Sequence, residues 1–274
     1  MGTAALLSHI DKLPRLPKAV SELLDVVNDD SASIAEVSEK ISRDPLVSAR
    51  ILRLANSAHY GRCREVGSID EAVVRLGQQT LRTLVIASAV IGAIPTVAGI
   101  DIGEFWGRSF EVSLYGQELA KRCGAEPETA FTCGILHDIG DLLIATIEPD
   151  KSLQIRASVA DGGDKPEIEQ GILGYTSSEV ASLLAQNWQF SSELVQGIKY
   201  QHNPKAAEPF SSQAGILKLS HIILLEWDGV DENEKTCWLS QQVTSVGLKM
   251  EMDGLSSKIQ SLRGKGFEIA GQLT

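Results

Sequence analysis

Gly134-Ile135-Leu136-His137-Asp138-Ile139-Gly140-Asp141 sets an adjacent His-Asp pair inside an apolar, helix-compatible run. Two neighbouring donors of this kind grip one metal ion, but a working metal site needs further ligands delivered from other helices. The plain alternative is a core histidine hydrogen-bonded to Asp138 or to backbone, and on the dipeptide alone that reading is the stronger. The choice between an enzyme and a binding module turns on the companions of this pair. The other histidines are His9, His59, His202 and His221.

On either side of that run the chain reads as successive helices. Pro127 begins the helix that carries His137-Asp138, and this helix ends before Pro149. Upstream, Phe105 to Cys123 is amphipathic, with Val112, Tyr115 and Leu119 inward and Gly124 as its stop. Downstream, Asp161 to Asp164 is a loop, and Pro166 to Leu173 a short helix closed by Gly174. Thr176 with Glu179 has capping-box spacing and opens a helix to Trp188. Ser191 or Ser192 caps the next, through about Gln201, and Gln213 to Trp227 is apolar. A charged loop, Asp231 to Lys235, precedes two further helices, and Leu217, Ile222 and Leu225 are expected to be buried.

The N-terminal part obeys the same rules. Pro17 begins a helix through Val27. Ser33 with Glu36 is a capping box ahead of Ile34, Val37 and Ile41, which share one helical face. Asp44-Pro45 is a strong start, because Asp accepts from free amides and Pro at the first position loses no hydrogen bond. Val47, Ile51 and Leu54 form the buried stripe of that helix, with Arg50 and Arg53 toward water. Ser68 with Glu71 opens a short helix ended by Gly77, and an apolar helix runs from about Thr80 to Ala93. Pro95 to Gly103 reads as a connector. Long alternating runs and Asn-Gly turns are missing, so the fold class is all-α.

Bulk composition narrows the function. The chain has 274 residues, 43% hydrophobic and 22% charged, which is ample for a core. A net charge of −11 argues against broad nucleic-acid binding, which needs a phosphate-neutralising surface. Cys63, Cys123, Cys133 and Cys237 form no C-x-x-C pair and suit a reduced, cytoplasmic chain. No signal peptide is seen. Thr83 to Ile100 carries no charge over 18 positions, but glycines, Pro95 and hydroxyl residues interrupt it, and a buried helix of a soluble protein is the better reading. Gly171 and Gly174 make no phosphate loop, and no Ser-His-Asp or Cys-His pattern is suggested.

Ile135-Leu136-His137-Asp138-Ile139-Gly140 resembles the signature of the HD superfamily of metal-dependent phosphohydrolases. The ordered stretches Leu13-Pro14-Arg15-Leu16-Pro17, Ile41-Ser42-Arg43-Asp44-Pro45-Leu46 and Leu54-Ala55-Asn56-Ser57-Ala58-His59-Tyr60-Gly61 are narrower. Ser68 to Val73, Leu76-Gly77, Phe105-Trp106, Leu173-Gly174-Tyr175 and Tyr200-Gln201-His202-Asn203-Pro204 continue the pattern. Together, over roughly residues 10 to 205, they resemble the HD-related output domain (HDOD) family of bacterial signalling proteins. The resemblance implies a multi-helical fold with an N-terminal helical part at 10–95 and an HD-like part with C-terminal helices at 104–274.

The resemblance also implies a ligand set, most of which is replaced here. After Phe-Trp, where the HD pattern has a His, stand Gly107, Arg108 and Ser109. Thr176-Ser177 stands for an Asp-His pair, and Gln201 for the first of two late histidines, leaving His202. Near the expected final Asp stand Ser220 and His221. His137 and Asp138 are thus a residual pair, His202 and His221 are the possible extra donors, and Arg108, Ser177 and Gln201 mark degenerate positions. The expectation is a non-catalytic signal-transduction module that binds protein partners, in trans with two-component or cyclic-dinucleotide pathways. It needs no cofactor or metal, nucleic acid or membrane. The alternatives are a metal-dependent phosphohydrolase of nucleotides or cyclic nucleotides, and a small-ligand sensor that uses the same pocket.

Overall fold

The structure is a computed structural model; residues 22–23, 25–26, 32–57, 66–93, 97 and 99–273 are described. The predicted motif at Leu13–Pro17, most of the expected Pro17–Val27 helix, and His9, His59 and Cys63 lie outside these residues. The described part is helical, with no strand among the described residues.

After the helical residues 22–23 and 25–26, three helices follow. Helix α1 (Ile34–Ser42) starts on the Ser33/Glu36 capping box, both hydrogen bonds of which are present. Helix α2 (Pro45–Ala55) starts on Asp44, whose Oδ1 accepts from the amides of Leu46 and Val47. Helix α3 (Ile69–Ala93) follows and is broken at Gly77, whose φ of 76° only glycine adopts without strain. Asn56 ties the α2–α3 connection by donating to the Val66 carbonyl and accepting its amide. Two expectations change here. Ile34 is 52% exposed, so the α1 core face is Val37 and Ile41 only. Arg50 turns inward instead of facing water, donating to the Ser88 carbonyl of α3 at 2.9 Å.

The larger part is organised around α4 (Ile102–Cys123), α5 (Pro127–Leu136) and α6 (Ile139–Ile147). Helix α4 begins three residues earlier than expected, because Asp101 accepts from Glu104 N and recruits Ile102 and Gly103 into the first turn. Trp106, Phe110, Tyr115 and Leu119 are buried along it, and α5 packs against it. Pro149–Ala160 forms α7 and Lys165–Leu173 forms α8. Helix α9 (Ser177–Asn187) follows on the Thr176/Glu179 capping box, then α10 (Ser192–Lys199) and α11 (Ser212–Glu226). The tail holds three helices rather than two: α12 (Lys235–Ser245), α13 (Leu255–Leu262) and α14 (Lys265–Leu273). Leu217 is buried and Ile222 partly so, but Leu225 is 64% exposed, on the outer side of α11.

One apolar cluster runs through both parts. Helices α1, α2 and α3 pack on one another, α3 touches α5, and α14 lies against both α4 and α2. The C-terminal helix therefore ties the two parts together. One stretch, Pro127–Ile147, has the length and apolarity of a membrane span, but 78% of its most apolar window is buried inside the protein.

Candidate metal centre at His137

The expected single helix through His137-Asp138 is in fact two. Helix α5 ends at Leu136 and α6 starts at Ile139, with Asp138 at φ −103°, ψ 5° between them. A side chain from elsewhere satisfies the break: Gln201 Nε2 donates to the His137 carbonyl at 2.9 Å. Gly140 then passes under the N-terminus of α9, where an added Cβ would sit 2.0 Å from the Ser177 carbonyl oxygen. The break aims two donor side chains away from the α5–α6 axis, and Gly140 lets α9 close over them.

His137 is 1% exposed. Its Nδ1 lies 2.6 Å from the Gly134 carbonyl oxygen. A carbonyl only accepts, so Nδ1 carries the proton and Nε2 keeps its lone pair when the ring is neutral. That Nε2 is buried without a hydrogen-bond partner and stands 3.1 Å from Asp138 Oδ2, out of line for a hydrogen bond. Two acceptors at this separation repel unless a proton or a cation lies between them. His221, from the middle of α11, brings its ring edge-on to His137 with centroids 4.5 Å apart, and its Nε2 is also buried and unpartnered. The donor atoms of His137, Asp138 and His221 all lie within 4.8 Å of one another.

Charge neighbours complete the site. Lys165, at the start of α8, puts Nζ 3.6 Å from Asp138 Oδ1 and 2.6 Å from Asp141 Oδ2. Glu169, one turn further along α8, is buried and accepts the Ser177 amide at 2.8 Å. Burial alone would raise the Asp138 carboxyl, but His137 first and Lys165 next hold it well below the usual carboxylate range. Burial pushes Glu169 up. Burial also lowers His202 to about 4 and His221 to about 3, with Lys165 and His137 adding to the respective shifts. Both imidazoles are therefore neutral near pH 7, the form in which a histidine binds a metal.

Of the residues singled out in the sequence, His221 joins the pair directly. His202 is half-buried at the edge of the same electrostatic group and outside the three-donor cluster. Ser177 and Gln201 serve the backbone of the site. Arg108 is exposed, 3.8 Å from Glu104, and lines a surface groove with Glu111, Leu225, Arg263 and Phe267. The positive charge beside the pair is Lys165, which sequence reasoning missed together with Asp141 and Glu169. The only local hint was Lys165 at the first position of a helix, where the dipole disfavours a cation.

Two histidine nitrogens and a carboxylate oxygen fit one first-row divalent ion such as Mn²⁺, Fe²⁺ or Zn²⁺. The two orphaned imidazole nitrogens are the atoms such an ion would satisfy. The second side of Asp138 faces an ammonium.

A family profile for the HDOD domain matches residues 13–204. A solved structure of a candidate phosphohydrolase from Shewanella amazonensis SB2B is 53% identical, with a TM-score of 0.93 over 99% of this chain and 98% of that one. A candidate signal transduction protein from Marinobacter aquaeolei VT8 shares the fold at a TM-score of 0.78 and 22% identity, over 96% of this chain and 60% of that one. An uncharacterized protein of Treponema pallidum (strain Nichols) is 24% identical over 230 residues, 82% of this chain and 45% of that protein. The chain thus spans less than half the length of the curated relative it matches. The profile covers most of the sequence, and the all-helical fold agrees with it: the chain belongs to the HDOD family.

Proposed function

We propose that this chain is a bacterial, cytoplasmic signal-transduction module that acts by binding protein partners and does not turn over a phosphoester. The partners are signalling proteins met in trans, in two-component or cyclic-dinucleotide pathways. Family membership supports the signalling role, as does the fold shared with the Marinobacter candidate signal transduction protein. The observation that carries the non-catalytic part is the company of Asp138, which is His137 and His221 on one side and the Lys165 ammonium on the other. Two-metal phosphoester hydrolysis uses ions about 3.5–4 Å apart to clamp the attacking and leaving oxygens. Here the carboxylate that would bridge them is already committed to a lysine.

The second reading is a phosphohydrolase with one ion on His137, Asp138 and His221. Its support is the 53% identity to the Shewanella candidate phosphohydrolase, together with the two open imidazole nitrogens. An ion there would polarise a phosphate oxygen, His137 and His221 would orient it, and Asp138 would balance its charge.

The readings separate in one experiment. The full chain is loaded with Mn²⁺ and assayed on bis-p-nitrophenyl phosphate and cyclic nucleotides beside His137→Ala. We expect equal, background-level rates. Turnover in the parent chain that disappears in His137→Ala would reject the module reading.

A further inference from the structure

We propose that Lys165 is the resident cation of the His137 cluster: its ammonium takes one of the two cation positions on the Asp138 carboxylate and so keeps a second divalent ion out. This rests on the reading above that the cluster is no two-metal centre.

The geometry is that of a carboxylate with two cation positions, one beside the open imidazole nitrogens and one filled by an ammonium. Asp138 Oδ2 faces the histidine side at 3.1 Å, and Oδ1 faces Lys165 Nζ at 3.6 Å. A second carboxylate, Asp141, grips the same ammonium at 2.6 Å, and a third, Glu169, stands a turn away on the lysine's own helix. One lysine thus pairs with two carboxylates and lies in the field of a third. Its place in α8 makes no sense as helix chemistry, since the helix dipole repels a cation at that end and Asp164 already caps the amides. It makes sense only as a counter-ion to α6. His137, buried with an unpaired Nε2 3.1 Å from the same carboxylate, is the independent sign that this spot is built for a cation.

An ammonium differs from a metal ion in ways that matter here. It carries one charge, donates hydrogen bonds and accepts no lone pairs, so it balances carboxylates without activating water. It also repels a dication brought near it. Removing its charge leaves Asp138, Asp141 and Glu169 unbalanced beside open imidazole donors, which is the donor set of a metal position.

The test is Mn²⁺ binding to the full chain, counted by equilibrium titration and read by electron paramagnetic resonance, for wild type, Lys165→Arg, Lys165→Gln and Lys165→Met. Thermal unfolding confirms that each is folded, and Met keeps the packing of the stem should Gln disturb it. We expect Arg to match wild type, and the neutral variants to bind one more ion per chain or to bind at least tenfold tighter. Neutral variants that fold and bind Mn²⁺ as wild type does would overturn the assignment of Lys165 and leave the module reading standing. Two ions in wild type, with phosphoester turnover, would overturn both.

Discussion

Two carboxylates lie close to the core of the larger part and have opposite surroundings. Glu111, on α4, is 1% exposed, and both its oxygens are filled by fixed donors. Its Oε1 accepts from Tyr115 Oη and Gly264 N, each at 2.7 Å, and its Oε2 accepts from Gly266 N at 2.8 Å. The two backbone donors are at the start of α14, where free amides and the helix dipole favour an anion. Asp138 has charge partners but no aligned donor on its histidine side, and two imidazole nitrogens beside it are buried and unpaired. A saturated buried carboxylate is a joint, and an unsaturated cluster is a place for something the chain does not supply.

The largest effect should come from the joint. Glu111→Ala strands the Tyr115 hydroxyl and two helix-start amides and loosens α14 from α4. At about 1.5–3 kcal/mol for a hydrogen bond to a charged group, partly offset by no longer burying a charge, the expected loss is roughly 4 kcal/mol. That is a fall in Tm of roughly 8–16 °C. A loss below about 1 kcal/mol in calorimetry would break the contrast.

Acid should act on the cluster. His202 and His221 titrate near 4 and 3 in the fold, against 6.5 for an ordinary histidine. Between these values the unfolded chain takes up protons that the folded chain refuses, so stability is fully present above about pH 6.5 and falls as pH drops toward 4. The low Asp138 pKa adds to the loss only below about pH 4, where the unfolded carboxyl takes up its proton. Chemical denaturation from neutral pH to about pH 4.5 measures this, and His202→Leu with His221→Phe should flatten the slope. An equal slope in the double variant would reassign the acid sensitivity elsewhere.

The smallest effect sharpens the comparison most. His221→Phe replaces an unpaired buried nitrogen by carbon of similar shape, so stability should change by less than about 1 kcal/mol while Mn²⁺ binding is lost. A large destabilisation would show that His221 is a joint after all.

The helices were legible because their signals are local. Asp44-Pro45, Ser33/Glu36 and Thr176/Glu179 satisfy orphan amides within one turn, and Gly124 and Gly174 adopt the left-handed cap with no neighbour's help. Periodicity found Val47, Ile51 and Leu54, but it also promised burial for Ile34 and Leu225, which are exposed. A pattern marks an apolar face and says nothing of whether another helix arrives to cover it. The break at His137-Asp138 was hidden too, because the sequence there is helix-compatible and the His137 carbonyl is taken by Gln201 from the distant turn after α10.

The same division holds for the site. The order of residues alone determined a helical chain, its caps and an adjacent His-Asp pair. Only tertiary packing decided that His221 closes on the pair, that Arg108 faces a groove, and that Lys165 is the cation beside Asp138. The physical reason is range. Caps and stripes act over one or two turns of a single helix, whereas a cluster of charges is made by side chains from four helices, α5, α6, α8 and α11, and exists only once they pack.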